Sequence, residues 1–335
     1  MARTTVLVLL LTDFILDVDV ALDKFFCSSG PKVLGFELDL PRLRVVLPVE
    51  KRALIIESLT ELSRKASTAP VQLVEKTLGR LVWASSIFHR LRSQLRPFFG
   101  VIKAIEPKSK ERGAVKRRRV RRIRIGSSLA EAASYIKGIL DNVTASPFPG
   151  LVPSLGEERA VIMCDASTKA AGGAIVSEDG RKIEWYHMDF TCAEVQAIIA
   201  DYIPSFRVGD RPESGHMCFL ELLSAVVGIL SRPEDQMVLV MCDNSAAVNA
   251  LCKLYAKSAA LNKLMRLLTM SRPSLTTPLM KAIHVEGVSN VVADTISRAG
   301  YTVTRNMWSG FDDVKELRID KILRSIRQPI AAKWL

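Results

Sequence analysis

Two apolar runs in this chain end in the same dipeptide, and this pair constrains the fold more than any other feature of the sequence. The run "VIMCD" ends at Asp165, and "VLVMCD" ends at Asp243. Continuous apolar runs are typical of central strands that helices cover on both faces. In sheets of that kind, functional groups gather at strand ends. The sequence therefore predicts an α/β domain in which both aspartates lie at the ends of buried strands.

The matched aspartates admit two interpretations. If the two strands are neighbours, two carboxylates meet beside an apolar core, and their repulsion is severe at low dielectric unless cations neutralise it. Alternatively, each aspartate caps the helix that follows it, as Asp243 could do before "NSAAV". For the pair together, we favour metal ligands.

A glutamate opens the helix predicted in "ELLSAVVGIL". Ser224, Ala225 and Gly228 share the face of Glu221 and carry little bulk, so this helix can lie close to a sheet. That packing would bring Glu221 to the strand ends. The alternative is an acidic residue that is favoured near a helix start by the helix dipole alone.

The fourth acidic residue lies in "HVEGVSNVVADTISR", where a helix is predicted to begin at Ser289 or Asn290. On that helix Asp294 shares a face with Asn290, Ser297 and Arg298, and this set by itself is typical of a solvated stripe. A position beside the other three acids is the alternative.

Four carboxylates at one site would suit hard divalent ions. Mg²⁺ prefers oxygen ligands and water, and Mn²⁺ can replace it. Two such ions about 4 Å apart serve in-line displacement at a phosphodiester, since one activates the attacking water and the other stabilises the leaving oxygen. We predict two Mg²⁺ ions held by Asp165, Glu221, Asp243 and Asp294.

The net charge is distributed unevenly. Residues 1–150 hold 26 Lys and Arg against 14 Asp and Glu, whereas residues 151–335 hold 21 of each, so the whole net charge of +12 lies in the first half. Between Lys103 and Arg124 there are 11 basic residues, two acidic residues and no aromatic residue. This run predicts contacts with phosphates rather than stacking on bases. A solvated tail or a nuclear-import signal is the alternative.

The six cysteines form no CxxC pair and lack a histidine at zinc-finger spacing, so reduced thiols in an intracellular protein, cytoplasmic or nuclear, are expected. The apolar N-terminal stretch is short and acidic residues follow it, which favours a strand over a signal peptide. No run reaches the roughly 18 apolar residues of a membrane span, so no membrane partner is expected.

The pattern of the chain predicts two parts. Residues 1–143 read as two strands followed by helices and the basic run. A linker rich in proline and glycine follows at 144–158. Residues 159–300 then alternate as three strands, a helix, a strand, helices, a strand and a helix, which predicts an α/β domain with a mixed sheet. The tail at 301–335 is predicted as one amphipathic helix.

The order Asp, Glu, Asp, Asp, within "CDASTKAAGGAIV", "ELLSAVVGIL", "CDNSAAVNAL" and "NVVADTISR", resembles the ribonuclease H domain of retroelement polyproteins, of the gypsy-like and tyrosine-recombinase retrotransposon type. The resemblance implies a five-stranded mixed sheet flanked by helices. It also implies that the four acids are catalytic metal ligands, with Ser289 or Asn290 capping the last helix.

The first half extends this likeness. "KVLGFELDL", "LPVEKRALIIESL" and "LGRLVWASSIFHRLRSQLRPFFGVIKAI" resemble the end of a reverse-transcriptase palm with its thumb and connection. The tyrosine-x-Asp-Asp hairpin of a polymerase is absent from the sequence, so DNA synthesis is not expected.

The activity implied is endonucleolytic hydrolysis of the RNA strand of an RNA–DNA hybrid, with other segments of a retroelement polyprotein as further partners. The alternative is a non-catalytic nucleic-acid-binding remnant. The predicted substrate contacts are Ser167, Thr168, Asn244, Ser245, Lys116, Arg117, Arg118, Arg119, Arg121 and Arg122.

The sequence departs from cellular ribonucleases H in the short loop before Asp294, which lacks the mobile histidine of those enzymes. His284 is predicted to be structural, and His216 is a weaker candidate for approaching the site. Proofreading-type exonucleases are disfavoured because Ser167 stands where they have a glutamate. Transposases of this fold end their acidic set with a glutamate rather than an aspartate.

Overall fold

The computed structural model describes residues 32–39, 41–42, 44–105, 122–147, 159–234, 236–272, 280–309, 311 and 313–327. Their architecture is mixed α/β, as the sequence predicts. The predicted N-terminal strand, Lys116–Arg119, Arg121 and most of the linker lie outside the described residues.

The described residues of the first half form a four-stranded antiparallel sheet, a two-stranded sheet and four α-helices. In chain order its elements are β1 (Lys32–Val33), β2 (Phe36–Asp39), β3 (Arg44–Val46), α1 (Val49–Leu62), β4 (Thr68–Pro70), α2 (Val71–Ala84), a 3₁₀ helix (His89–Gln94), α3 (Arg96–Ile105), β5 (Arg122–Arg124), α4 (Ser127–Asn142) and β6 (Ala145–Pro147). The sheet order is β1-β2-β3-β6, and β4 pairs with β5.

Pro97 lies in the first turn of α3. A proline fits there because the missing N–H has no partner within the helix at that position. Ala145–Pro147, at the start of the predicted linker, pairs with β3 instead of remaining irregular. The domain boundaries stay a prediction.

The second half is built on a six-stranded sheet. Its elements are β7 (Ala160–Ala166), β8 (Ala170–Ser177), β9 (Ile183–Asp189), α5 (Ala193–Tyr202), α6 (Met217–Leu230), β10 (Val238–Cys242), α7 (Ser245–Lys253), α8 (Ala259–Ser271), β11 (Met280–His284), α9 (Val291–Ala299), α10 (Tyr301–Trp308), β12 (Val314–Glu316) and α11 (Asp320–Arg327), with short 3₁₀ turns at Ser214–His216 and Gly287–Ser289.

The sheet order is β11-β10-β7-β8-β9-β12. Strands β7, β8 and β9 form an antiparallel meander, β10 runs parallel to β7, and β11 runs parallel to β10. The mixed sheet is therefore confirmed, but the described residues contribute six strands to it rather than the five that the resemblance implies. The sixth comes from the tail, which is not the single helix expected: β12 pairs with β9, and α11 adds Leu323 and Ile326 to the main core.

Helix α6 lies close to the sheet, as its small-residue face predicts. A Cβ on Gly228 would lie 2.7 Å from Ile162 Cγ2. On the same face the Ser224 hydroxyl donates to the Gly172 carbonyl at 3.0 Å, and Tyr186 donates to the Ser224 carbonyl at 2.9 Å. This close packing fixes the position of Glu221 relative to the strands.

The two halves meet along a buried polar seam between the 3₁₀ helix and α8. Asn262 Nδ2 donates to the Ser93 carbonyl at 2.8 Å, and Arg266 Nε donates to Gln94 Oε1 at 2.9 Å. Ser93, Gln94 and Asn262 are buried. Within the described residues, no helix is long and apolar enough to cross a membrane.

Candidate active site

The strand that contains Asp165 and the strand that precedes Asp243 are neighbours, which meets the condition of the metal-ligand interpretation. Met241 pairs with Met163 in the parallel register of β10 and β7. Continuing that register places Cys242 beside Cys164. Asp165 is 2 % exposed, whereas Asp243, just past the end of β10, is half-buried. Burial raises the pKa of Asp165 to about 6, and the charges of Asp243 and Asp294 add to the rise.

Glu221 lies in α6 at the same end of the sheet and is 4 % exposed. Burial raises its pKa to about 10, with further contributions from Cys242 and the carboxylates of Asp165 and Asp243. A hydrogen bond from the Ala166 backbone N–H acts in the opposite direction. Each of these acids is therefore costly to ionise in the absence of a cation.

Asp294 approaches from α9, on the other face of the sheet. Its Oδ1 accepts a hydrogen bond from Arg298 Nε at 2.5 Å. The guanidinium also lowers the pKa of Asp165, which places Asp294, Arg298 and Asp165 within electrostatic reach of one another. Arg298 is exposed, so this ion pair is open to solvent.

Two further residues of α9 hold the helix against β7. The Ser297 hydroxyl donates a short hydrogen bond to Asp165 Oδ2, and Asn290 Nδ2 donates to the Cys164 carbonyl at 3.0 Å. Ser297 is 0 % exposed and Asn290 3 %. The solvated-stripe interpretation of this face is therefore wrong for both residues.

The expected helix cap is also corrected. Asn290 stands at the N-cap of α9, but its side chain makes no capping hydrogen bond. The amide is used instead to fasten the helix to the strand that carries Asp165. Sequence reasoning missed Asn290 and Ser297 as site residues because serine and asparagine on a polar helix face are ordinary surface residues.

Three donor atoms at this end of the sheet lie especially close together. One ligand atom each from Glu221, Cys242 and Asp243 lies within 4.8 Å of the other two. Asp165 and Asp294 are not members of this trio. The charge of Asp165 raises the pKa of Glu221, and the charge of Asp294 raises the pKa of Asp165. The structure thus contains a possible acidic and cysteine metal cluster, and the metal-ligand roles of all four acids stay a prediction.

The side chains predicted to contact substrate differ in whether they already have hydrogen-bond partners within the protein. The Ser167 hydroxyl donates to the Ser297 carbonyl at 2.8 Å and accepts from Lys169 N at 3.1 Å, so it is already engaged. Asn244 caps α7 by accepting from Ala246 N at 3.0 Å and Ala247 N at 3.1 Å. Thr168 and Ser245 are exposed. In the first half, Arg122 is exposed and bonded to Thr68.

The two histidines have structural contacts. His284 Nε2 lies 2.9 Å from the Asp243 carbonyl oxygen, so the ring supports the backbone that carries Asp243. His216 Nδ1 accepts from the Glu213 N–H at 3.1 Å, and its ring packs edge-on against Phe206.

Comparison with known proteins identifies no matching family model and no matching curated protein. Among solved structures, the chain is similar to the foamy viral protease-reverse transcriptase. In complex with RNA/DNA hybrid the identity is 14 %, the TM-score 0.26, and the match covers 80 % of this chain and 31 % of that one. In complex with dsDNA the corresponding values are 14 %, 0.25, 77 % and 45 %. The chain spans less than half of the length of those proteins, and TM-scores this low do not establish a shared fold or function.

Proposed function

We propose that this chain is a metal-dependent ribonuclease H that hydrolyses the RNA strand of an RNA–DNA hybrid. The observation that carries the proposal is the approach of Asp165, Glu221, Asp243 and Asp294 to one end of the sheet, where the pKa of two of them is raised. Asp165 and Glu221 are buried and make no salt bridge within the described residues, and such carboxylates are costly to the fold unless they serve a ligand.

The donor set fits hard divalent ions. Asp165, Glu221, Asp243 and Asp294 would hold two Mg²⁺ ions, or Mn²⁺ in their place, through carboxylate oxygens. When bound, such ions supply activation of water and stabilisation of the leaving oxygen. Ser297 holds the Asp165 carboxylate in place, and Asn290 fixes the helix that carries Asp294.

Substrate binding is assigned to both halves. The proposed contacts beside the acids are Ser167, Thr168, Asn244 and Ser245, and the basic run at Lys116–Arg122 would hold phosphates. Discrimination for RNA would come from contacts to 2′-hydroxyls. Other segments of a retroelement polyprotein are proposed as further partners.

The test is a cleavage assay on a hybrid with labelled RNA, run beside the same sequence as duplex DNA and as duplex RNA. We expect Mg²⁺-dependent cuts within the RNA strand of the hybrid and none after chelation. Binding of the hybrid without any cleavage would instead support the non-catalytic remnant. Equal cleavage of all three duplexes would contradict the proposed specificity.

A further inference from the structure

The acidic site contains a thiol that a magnesium site does not need. Cys242 is the last residue of β10, immediately before Asp243, and is 0 % exposed. Its sulfur belongs to the trio of ligand atoms that lie within 4.8 Å of one another. Mg²⁺ binds oxygen ligands, whereas thiolates favour softer ions.

The distance between two of these ligand atoms is close to the distance between neighbouring ligands around a tetrahedral metal ion. Cys242 Sγ lies 3.7 Å from Glu221 Oε2. Bond lengths of about 2.3 Å to sulfur and 2.0–2.2 Å to oxygen place such ligands about 3.5 Å apart around zinc. The Asp243 carboxylate, half-buried just past the strand end, supplies the third ligand atom, within 4.8 Å of the other two.

Glu221 is the most deeply buried carboxylate of this trio. It is 4 % exposed, and within the described part of the chain it makes no ion pair with Lys, Arg or His. Its near contacts are the Ala166 N–H and the Cys242 thiol. A buried carboxylate that lacks a cation is a ready ligand for one.

We propose that Glu221, Cys242 and Asp243 form a site for a single thiophilic divalent ion, Zn²⁺ or Cd²⁺. Binding forms metal–oxygen bonds and a metal–sulfur bond as the Glu221 carboxyl and the Cys242 thiol release their protons to solvent, and no redox change occurs. The ion occupies two carboxylates that Mg²⁺ would need, so it inhibits the nuclease. The inhibition rests on the proposed function, but the binding does not.

The experiment is a Cd²⁺ titration of the full chain, followed by the ultraviolet thiolate-to-metal charge-transfer absorption. The background carries Cys27→Ser, Cys192→Ser, Cys218→Ser and Cys252→Ser, so that only the two buried thiols remain. Cys242→Ala is the test variant. Cys164→Ala is its matched control, because Cys164 is equally buried on the adjacent strand and its thiol contacts that of Cys242.

We expect Cys242→Ala to lose the absorption and to weaken Cd²⁺ binding by about 10- to 100-fold or more, while Cys164→Ala retains both. Unchanged binding in Cys242→Ala, or an equal loss in both variants, would overturn the proposal. Circular dichroism checks the fold of each variant. If Cys242→Ala does not fold, Asp243→Asn gives the same test through calorimetry, and unchanged Cd²⁺ affinity there overturns the proposal as well.

Cleavage of the hybrid in Mg²⁺ is measured on the same preparations. Cd²⁺ binding through Cys242 without any hybrid cleavage would refute the proposed function and leave the metal site standing. Hybrid cleavage in Mg²⁺ together with Cys242-independent Cd²⁺ binding would refute the metal site and leave the proposed function standing.

Discussion

The hydroxyl of Ser297 donates a hydrogen bond to the carboxylate of Asp165, although the two residues are 132 positions apart in the chain. This bond joins α9 to the end of β7, and the bond from Asn290 to the Cys164 carbonyl reinforces it. The position of Asp294 relative to the other acids therefore depends on contacts made by its neighbours on the same helix.

Replacing Ser297 with alanine should have a larger effect on the rate of hybrid cleavage than on the free energy of unfolding. Without the hydroxyl, Asp165 loses a contact that lowers its pKa, so its ionisation shifts to higher pH. We expect the acidic limb of the pH–rate profile to move to higher pH and the rate at neutral pH to fall by about tenfold, as for the loss of a charge-assisted hydrogen bond.

Thr295→Ala is the matched control, because Thr295 lies on the same helix and its Oγ1 donates to the Val291 carbonyl one turn earlier. Its pH–rate profile should coincide with that of the unmodified chain. Identical profiles for Ser297→Ala and Thr295→Ala would contradict a positioning role for Ser297.

Arg298 should compete with metal at Asp294. Its guanidinium engages one carboxylate oxygen of Asp294 at 2.5 Å. Arg298→Gln should lower the Mg²⁺ concentration that gives half-maximal cleavage by about 2- to 5-fold, in line with an exposed ion pair. Arg305→Gln, an equal change of charge at an exposed position of α10, should leave that concentration unchanged. A higher Mg²⁺ requirement in Arg298→Gln would instead indicate that Arg298 assists the site.

The stability of the metal-free protein should fall as pH rises. The folded-state pKa of Asp165 is raised from 3.8 to about 6, so its contribution to stability is fully present below 3.8 and is lost as pH rises through about 6. Asp165→Asn cannot ionise. When the pH is raised from about 5 to about 8 in the presence of a chelator, the unfolding free energy of both proteins is compared. The fall should be about 1–3 kcal/mol smaller for Asp165→Asn than for the unmodified chain.

Urea unfolding at the two pH values measures this difference. Asp141→Asn serves as the control, since Asp141 is an exposed residue of α4 paired with Lys137. The same loss in the unmodified chain and Asp165→Asn would show that Asp165 is not the source.

The tail should be part of the folded domain. Leu323 on α11 is 4 % exposed and joins the main core. Leu323→Ala should cost about 2–5 kcal/mol of unfolding free energy, as expected for a large-to-small change in a core. Lys321→Ala, at an exposed position of the same helix, should change it by about 0.5 kcal/mol or less. Equal, small effects would mean that α11 does not pack in solution as described.

The sequence predicts those parts of the fold that local patterns determine. The apolar runs ending at Asp165 and Asp243 were sufficient to predict two buried strands, and the small face of α6 was sufficient to predict a closely packed helix. The inward roles of Asn290 and Ser297 could not be anticipated, because their partners lie more than 120 residues away. Strand β12 is three residues long and acquires its structure from pairing with β9.

The most direct test of the account is the rate of Mg²⁺-dependent cleavage of an RNA–DNA hybrid by the full chain and by Asp165→Asn, with Asp141→Asn as the control for the change of charge. The account predicts cleavage of the RNA strand by the unmodified chain and by Asp141→Asn, and a loss of about 100-fold or more in Asp165→Asn. Equal cleavage by the unmodified chain and Asp165→Asn would contradict a metal-dependent active site at the ends of these strands.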